Sequence, residues 1–220
     1  MLDKTNLPCP AGRPLLRRGL YLVLTSPRDG YEVLTEWAVA AALPAVQFRP
    51  KTEDARESLR IARAMRAITR GTHTLFIVND RPDLAVLSGA DGVHLGQTDL
   101  PPCEARRLVG DAMLIGLSTH NPDQVRSSCD EAEVDYIGFG PLYATTSKAT
   151  PDPIIGPGRL HGAACLTLRP IVAIGGLTPE RIRLLDPCSF HCAAVIRAVA
   201  DADNPAAVLH TLQSTLENIP

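Results

Sequence analysis

The segment IVAIGGLTPERI, residues 171–182, contains a complete strand-to-helix transition. Ile171–Gly176 is apolar and β-rich and ends in two glycines, which is typical of a buried strand running into a turn. Thr178-Pro179-Glu180 then offers an N-cap residue followed by proline at the first helical position. The segment predicts one strand–loop–helix unit, and Asn121-Pro122-Asp123 predicts a second helix start of the same kind.

Seven other apolar runs share this character. They are Tyr21–Thr25, Ala45–Arg49, Thr74–Asn79, Gly92–Gly96, Met113–Ser118, Tyr136–Gly140 and Phe190–Ile196. All eight are continuously apolar, as expected of parallel strands buried on both faces, and segments with helical spacing such as Thr52–Arg70 separate them. Eight such units predict an α/β fold, a single-domain (β/α)8 TIM barrel over residues 19–220. An open doubly wound sheet is the weaker alternative, because no GxGxxG motif follows the first strand.

Composition narrows the classes of function. The 220 residues are 45% hydrophobic and 21% charged, with a net charge of −2, which argues against nucleic-acid and membrane partners. The longest apolar run, Trp37–Val46, is too short to span a bilayer. The six cysteines form no CxxC pair and no zinc-type cluster, so reduced thiols in the cytoplasm are expected. Residues 1–18 are expected to be a loose N-terminal extension.

Cations follow several of the predicted strands, at the end of the barrel where active sites lie. The chain has three lysines among its 22 basic residues, and two of them, Lys51 and Lys148, come just after strands. Gln47, Arg49 and Lys51 alternate, so on an extended segment they point to one face. The pattern predicts a mouth that binds a diphosphate, against the simpler interpretation of solvated strand ends.

Two carboxylates and two turns complete the candidate site. Asp80 and Asp99 follow neighbouring strands and could approach one Mg²⁺, although a lone Asp in a loop is usually a cap or turn residue. Gly175-Gly176 and the Ile196–Arg197 turn follow the last two strands, where barrels often bind phosphate. His94, inside an apolar strand, is expected to be a satisfied core histidine, and Cys192 a small core residue.

The chain contains six motifs: QFRPK, IVNDRPDLA, GADGVHLGQTDLP, IGLSTHNPDQV, DYIGFGPLYATTSKAT and IVAIGGLTPERI. In this order and spacing, they resemble the thiamine phosphate synthase family (thiamine-phosphate pyrophosphorylases). The resemblance runs from about Tyr21 to Ala202. It implies a (β/α)8 barrel enzyme of thiamine biosynthesis, a Mg²⁺-dependent transferase. The reaction joins 4-amino-5-hydroxymethyl-2-methylpyrimidine diphosphate to thiazole phosphate and releases pyrophosphate. The partners implied are small phosphorylated molecules, with a homo-oligomer left open.

The resemblance also implies a role for each matching residue. Asp80 and Asp99 would hold Mg²⁺. The residues implied to hold the pyrimidine diphosphate are Gln47, Arg49, Lys51, Asn79, Ser118 and Lys148, of which Arg49, Lys51, Ser118 and Lys148 would be catalytic. Those implied to hold the thiazole phosphate are Thr145, Thr146, Ser147, Gly176, Ile196 and Arg197. Because the aminopyrimidine stabilises the positive carbon left by the departing pyrophosphate, the chemistry needs positioning and charge rather than a protein nucleophile.

Two departures from the family pattern leave alternatives open. Arg197 stands where the family usually has serine, so its side chain could bind the thiazole phosphate or fill its place. Arg181 stands where the family has asparagine. A TenI-like thiazole tautomerase, with His120 as its base, and a non-catalytic phosphate-binding paralogue are the alternative functions.

Overall fold

The computed structural model describes residues 12–51, 53–145 and 152–219. Eight parallel strands pair in chain order, and β1 also pairs with β8, so the sheet closes into a barrel. The strands are β1 Gly19–Leu24, β2 Ala45–Phe48, β3 Leu75–Asn79, β4 Gly92–Leu95, β5 Leu114–Thr119, β6 Tyr136–Phe139, β7 Ile171–Ile174 and β8 Cys192–Val195. The predicted single-domain (β/α)8 fold is confirmed.

Helices follow the strands and cover the outside of the barrel. Their bounds are α1 Tyr31–Ala40, α2 Ala55–Thr69, α3 Pro82–Ser88, α4 Pro102–Val109, α5 Pro122–Asp130, α6 Leu160–Leu166, α7 Pro179–Ile182, α8 Arg197–Ala200 and α9 Pro205–Glu217. The predicted caps of α5 and α7 form: Asn121 accepts from the Gln124 amide, and Thr178 from that of Arg181. The predicted helix over 52–70 begins only at Ala55, because the Asp54 side chain caps it.

Side chains alternate between two cores. Along β1, Leu20, Leu22 and Leu24 pack towards the helices, whereas Tyr21 and Val23 point into the barrel lumen. The lumen is tightly filled: a Cβ added at Gly116 would lie 2.2 Å from Cζ of Tyr136. Strand β5 therefore needs a glycine there, because only glycine leaves room for the tyrosine ring beside it.

The described part of the N-terminal segment, residues 12–18, contacts the barrel, although the sequence predicted a loose extension. Leu16 is only 4% exposed and joins the lumen core, and its carbonyl oxygen accepts from His191 Nε2 at 2.7 Å. Arg13 Nη1 lies 2.6 Å from Oδ1 of the buried Asp135. Residues 1–11 lie outside the described ranges. Among the described residues, no helix is long and apolar enough to cross a membrane.

Candidate active site

Two adjoining cavities open at the carboxyl ends of the strands. The smaller has a volume of about 360 Å³ and the larger about 530 Å³. Both are lined by Ser118, His120, Gly138, Asp152, Ile174, Ala194 and Ile196. Two ligands placed in the two cavities would therefore meet along this shared boundary.

The smaller cavity brings together most of the residues predicted to hold a diphosphate and a metal. Those that line it are Gln47, Arg49, Asn79, Asp80, Asp99 and Ser118. Lys51 is exposed and lines neither cavity. The alternation that placed Gln47, Arg49 and Lys51 on one face therefore fails at its last member. β5 extends one residue beyond the predicted run Met113–Ser118 and ends at Thr119.

A hydrogen-bond chain crosses the floor of the smaller cavity and joins five polar side chains, and we call it the lumen chain. Gln47 Nε2 donates to the Tyr21 hydroxyl at 2.9 Å, and this hydroxyl lies 3.1 Å from that of Tyr136. The Tyr136 hydroxyl lies 3.1 Å from His94 Nδ1, and His94 Nε2 lies 3.0 Å from Ser118 Oγ. Burial raises the pKa of both tyrosines well above the usual value, so both hydroxyls stay protonated.

The two carboxylates predicted to bind metal lie at the rim of this cavity. Asp80 follows β3 with a left-handed backbone (φ 61°), and its amide donates to the His94 carbonyl oxygen at 2.8 Å. Asp99 Oδ2 accepts from the Gly96 amide at 2.6 Å. No cluster of three or more His, Cys, Asp or Glu side chains forms within the described ranges. Two carboxylates beside a cavity fit Mg²⁺, which typically completes its octahedron with phosphate oxygens and waters.

The larger cavity is built around the turn after β7. Gly175 and Gly176 both have positive φ, and a Cβ at Gly176 would lie 2.4 Å from the Ala144 carbonyl oxygen. The predicted residues Thr145, Gly176, Ile196 and Arg197 line this cavity. Arg197 is exposed, and its Nε donates to Asp201 Oδ2 at 2.6 Å. Thr146, Ser147 and Lys148 lie outside the described residues.

Comparison with known proteins identifies the family of this chain. The model of a family described as "Thiamine monophosphate synthase" matches residues 20–199. The chain belongs to this family. Proteins named thiamine-phosphate synthase are similar to it: that of Koribacter versatilis is 43% identical over 77% of this chain and 81% of its own, and that of Laribacter hongkongensis 39% identical over 84% and 86%.

A solved structure supports the same assignment. Thiamine phosphate pyrophosphorylase from Pyrococcus furiosus superposes with a TM-score of 0.80 at 27% identity, covering 91% of this chain and 96% of its own. A 3-hexulose-6-phosphate synthase at 15% identity, with a TM-score of 0.66, shares the fold alone. The barrel architecture is thus shared beyond the thiamine monophosphate synthase family.

Several residues in the site of this thiamine monophosphate synthase family member were not predicted from the sequence. Tyr21 and Tyr136 read as ordinary strand residues, and only the alternation of side chains along β1 and β6 could have placed them in the lumen. His94 does have both ring nitrogens bonded, as expected of a satisfied histidine, but it also lines the smaller cavity. Arg181 lines the larger cavity, where its Nη1 donates to the Gly176 carbonyl oxygen at 2.5 Å.

His120 lies on the boundary between the cavities. Its Nδ1 is 2.6 Å from the Gly140 carbonyl oxygen, which can only accept, so Nδ1 carries the hydrogen. Its Nε2 lies 3.7 Å from Asp152 Oδ2. The buried Cys192 is 0% exposed, which confirms that it is a core residue.

Proposed function

We propose that this chain is a Mg²⁺-dependent thiamine phosphate synthase of the cytoplasm. In this reaction the methylene carbon of 4-amino-5-hydroxymethyl-2-methylpyrimidine diphosphate loses pyrophosphate, and the nitrogen of thiazole phosphate forms a bond to that carbon. The observation that carries the proposal is the pair of cavities meeting at Ser118 and Gly138. One is ringed by amides, carboxylates and an arginine, and the other is built around a glycine turn, as two substrates of different chemistry require.

The pyrimidine diphosphate is proposed to occupy the smaller cavity. Arg49 and Asn79 at its rim would bind the diphosphate, and Gln47 and Ser118 on its floor would contact the reacting end of the molecule. The proposal keeps Lys51 and Lys148 as cations that approach the diphosphate from the loops. For Lys51 this requires its loop to move, because its side chain is exposed outside the cavity.

Asp80 and Asp99 are proposed to hold Mg²⁺. When bound, the ion supplies positive charge to the departing pyrophosphate. The chain itself supplies the Arg49 guanidinium, which lines the same cavity. Preorganised charge of this kind stabilises a leaving group more than water does, because no reorganisation is needed at the moment of reaction.

The thiazole phosphate is proposed to occupy the larger cavity, with Thr145, Thr146, Ser147, Gly176, Ile196 and Arg197 around its phosphate. The absence of a side chain at Gly176 leaves its backbone open to a close approach. The apolar Ile174 and Ile196 on the shared boundary would hold the ring against the pyrimidine and exclude water. Exclusion matters because water would otherwise capture the positive carbon.

The direct test supplies the purified full chain with both substrates and Mg²⁺ and measures thiamine monophosphate and pyrophosphate. We expect both products in equal amounts, and none after chelation of the metal with EDTA. Absence of product from folded protein would refute the proposal. Isomerisation of a carboxythiazole phosphate without pyrophosphate release would instead support the tautomerase alternative.

We also propose a cellular compartment and partners for the protein. Cys103, Cys129, Cys165 and Cys188 are exposed free thiols, which is typical of a reducing compartment. Small phosphorylated substrates are the proposed partners. The expectation of no nucleic-acid partner stays a prediction from the net charge of −2.

A further inference from the structure

The lumen chain has a direction, because each hydroxyl in it has one hydrogen to donate. We propose that Gln47 sets this direction and thereby fixes the tautomer of His94 and the orientation of the Ser118 hydroxyl. Tyr21, Tyr136 and His94 are then positioning residues that act on the substrate through Ser118. This inference rests on the proposed function only for the identity of the group that Ser118 meets.

The direction is set at the first link. The Nε2 amide of Gln47 donates to the Tyr21 hydroxyl, and an amide nitrogen has no other role in a hydrogen bond. Tyr21 therefore accepts from Gln47 and has its own hydrogen left for its other partner. That partner is the Tyr136 hydroxyl, 3.1 Å away. The first link thus makes Tyr21 the donor in the second.

The same reasoning continues to Ser118. The Tyr136 oxygen accepts from Tyr21, so its hydrogen goes to His94 Nδ1. A neutral imidazole carries one hydrogen, which must then be on Nε2 and is donated to Ser118 Oγ. The Ser118 hydroxyl hydrogen is therefore left to point towards the junction of the two cavities, which Ser118 lines on both sides.

The reverse direction would have the opposite effect at the substrate. An acceptor at position 47 would take the Tyr21 hydrogen, and every following link would turn round. His94 would carry its hydrogen on Nδ1, and Ser118 would donate to Nε2 and show only lone pairs to the junction. A departing diphosphate is an anion and is stabilised by a donor, so only the direction set by the Gln47 amide helps the reaction.

Packing of the surrounding residues keeps the lumen chain intact. Tyr21 and Tyr136 are each 1% exposed, so bulk water does not replace their partners. A Cβ at position 116 would lie 2.5 Å from both His94 Nδ1 and the Tyr136 oxygen. Gly116 therefore makes the room in which the central link forms.

The test reads the tautomer of His94 directly, by long-range ¹H–¹⁵N NMR of the ligand-free full chain with ¹⁵N-labelled histidine, at about pH 8, where imidazole is neutral. The His94 signals are assigned by their loss in His94→Gln. We expect the Nε2–H form in the native chain and the Nδ1–H form in Gln47→Glu, because a carboxylate only accepts. An Nδ1–H form in the native chain, or an unchanged tautomer in folded Gln47→Glu, would overturn the proposal.

Tyr21→Phe is the second variant, in case the new carboxylate prevents folding. This substitution interrupts the lumen chain without adding charge, so His94 should populate both tautomers. Tyr31→Phe is the matched control: this tyrosine is also buried, but its hydroxyl donates to Glu53 outside the lumen. The control should keep the native tautomer, and a pure Nε2–H form in folded Tyr21→Phe would refute the relay.

Kinetics provide an independent readout. Tyr21→Phe should lower kcat about fivefold to tenfold, the effect of one hydrogen bond, and leave the KM for thiazole phosphate unchanged. An unchanged kcat would contradict the link to catalysis. The NMR test needs no substrate. If the protein shows the Nε2–H form of His94 but makes no product, the proposed function is refuted and the proposed direction of the lumen chain is not.

Discussion

Replacing Asp80 by asparagine tests the proposed metal site with the least disturbance of the fold. Asp80 has φ 61°, a left-handed conformation that asparagine adopts about as readily as aspartate and that alanine does not. Its side chain is exposed at the cavity rim. Asp80→Asn therefore removes one negative charge from the cavity while keeping shape and backbone, and the unfolding temperature should stay close to that of the native chain.

The expected loss of activity follows from the role of the carboxylate. By holding Mg²⁺, the Asp80 carboxylate would help to stabilise the negative charge that develops on the departing pyrophosphate. One preorganised group contributes about 3–4 kcal/mol to such stabilisation, so losing it should lower kcat/KM about 10²-fold to 10³-fold. We also expect a higher Mg²⁺ concentration for half-maximal rate, because one of the two proposed carboxylates no longer binds the ion. The assay follows pyrophosphate release with each substrate varied in turn, and repeats the measurement across a Mg²⁺ titration.

Asp83→Asn is the matched control. Asp83 lies three residues further along the chain, is exposed and pairs with Arg81, and it lines neither cavity. The same loss of one charge there should change kcat/KM by less than about twofold, since exposed ion pairs contribute little. A loss below about tenfold in Asp80→Asn, or an equal loss in both variants, would refute the assignment of Asp80 to the metal.

Four further predictions concern the second cavity, the base of the barrel and the thiols. Gly176→Ala should raise the KM for thiazole phosphate with little change for the pyrimidine diphosphate, because its Cβ would lie 2.4 Å from the Ala144 carbonyl oxygen; steady-state kinetics with each substrate varied will check this. Arg197→Ser should weaken thiazole phosphate binding in calorimetry if the guanidinium binds the phosphate, and tighter binding would show that it obstructs the site. Asp135→Ala removes the carboxylate that pairs with Arg13 and Arg106, whose side chains are 10% and 7% exposed, and should lower the free energy of unfolding by about 3–5 kcal/mol in urea titrations. Cys192, whose pKa burial raises to about 12, should stay unlabelled by maleimide at neutral pH until the chain unfolds, and rapid labelling of the native protein would contradict its place in the core.

Local patterns were sufficient to predict the fold. The apolar runs became strands because they are buried on both faces, and the cap residues Asn121 and Thr178 began the helices where the sequence placed them. The predicted strand ends also carried Asn79, Asp80, Asp99 and Ser118 to one cavity, because parallel strands all end at the same rim.

The alternation of side chains had a limited reach. Gln47 and Arg49 line the smaller cavity, as the alternation predicts, but Lys51 does not. β2 ends at Phe48, and the pairing with β1 ends one residue later, where the Arg49 amide donates to the Leu24 carbonyl oxygen at 3.0 Å. The same limit applies to the N-terminal segment, whose sequence shows no periodicity. Its packing depends on Leu16 and Arg13 meeting partners more than a hundred residues away, Asp135 among them.

The sequence by itself determined the order of strands and helices, the rim on which the polar residues gather, and the family to which the chain belongs. These follow from periodicity, capping and motifs, which are local properties of the chain. Only the tertiary structure joined Gln47, Tyr21, Tyr136, His94 and Ser118 into the lumen chain. The lumen chain brings together side chains from five different strands, and which atoms come within hydrogen-bonding distance there is decided by closure and stagger of the barrel, which no local pattern encodes.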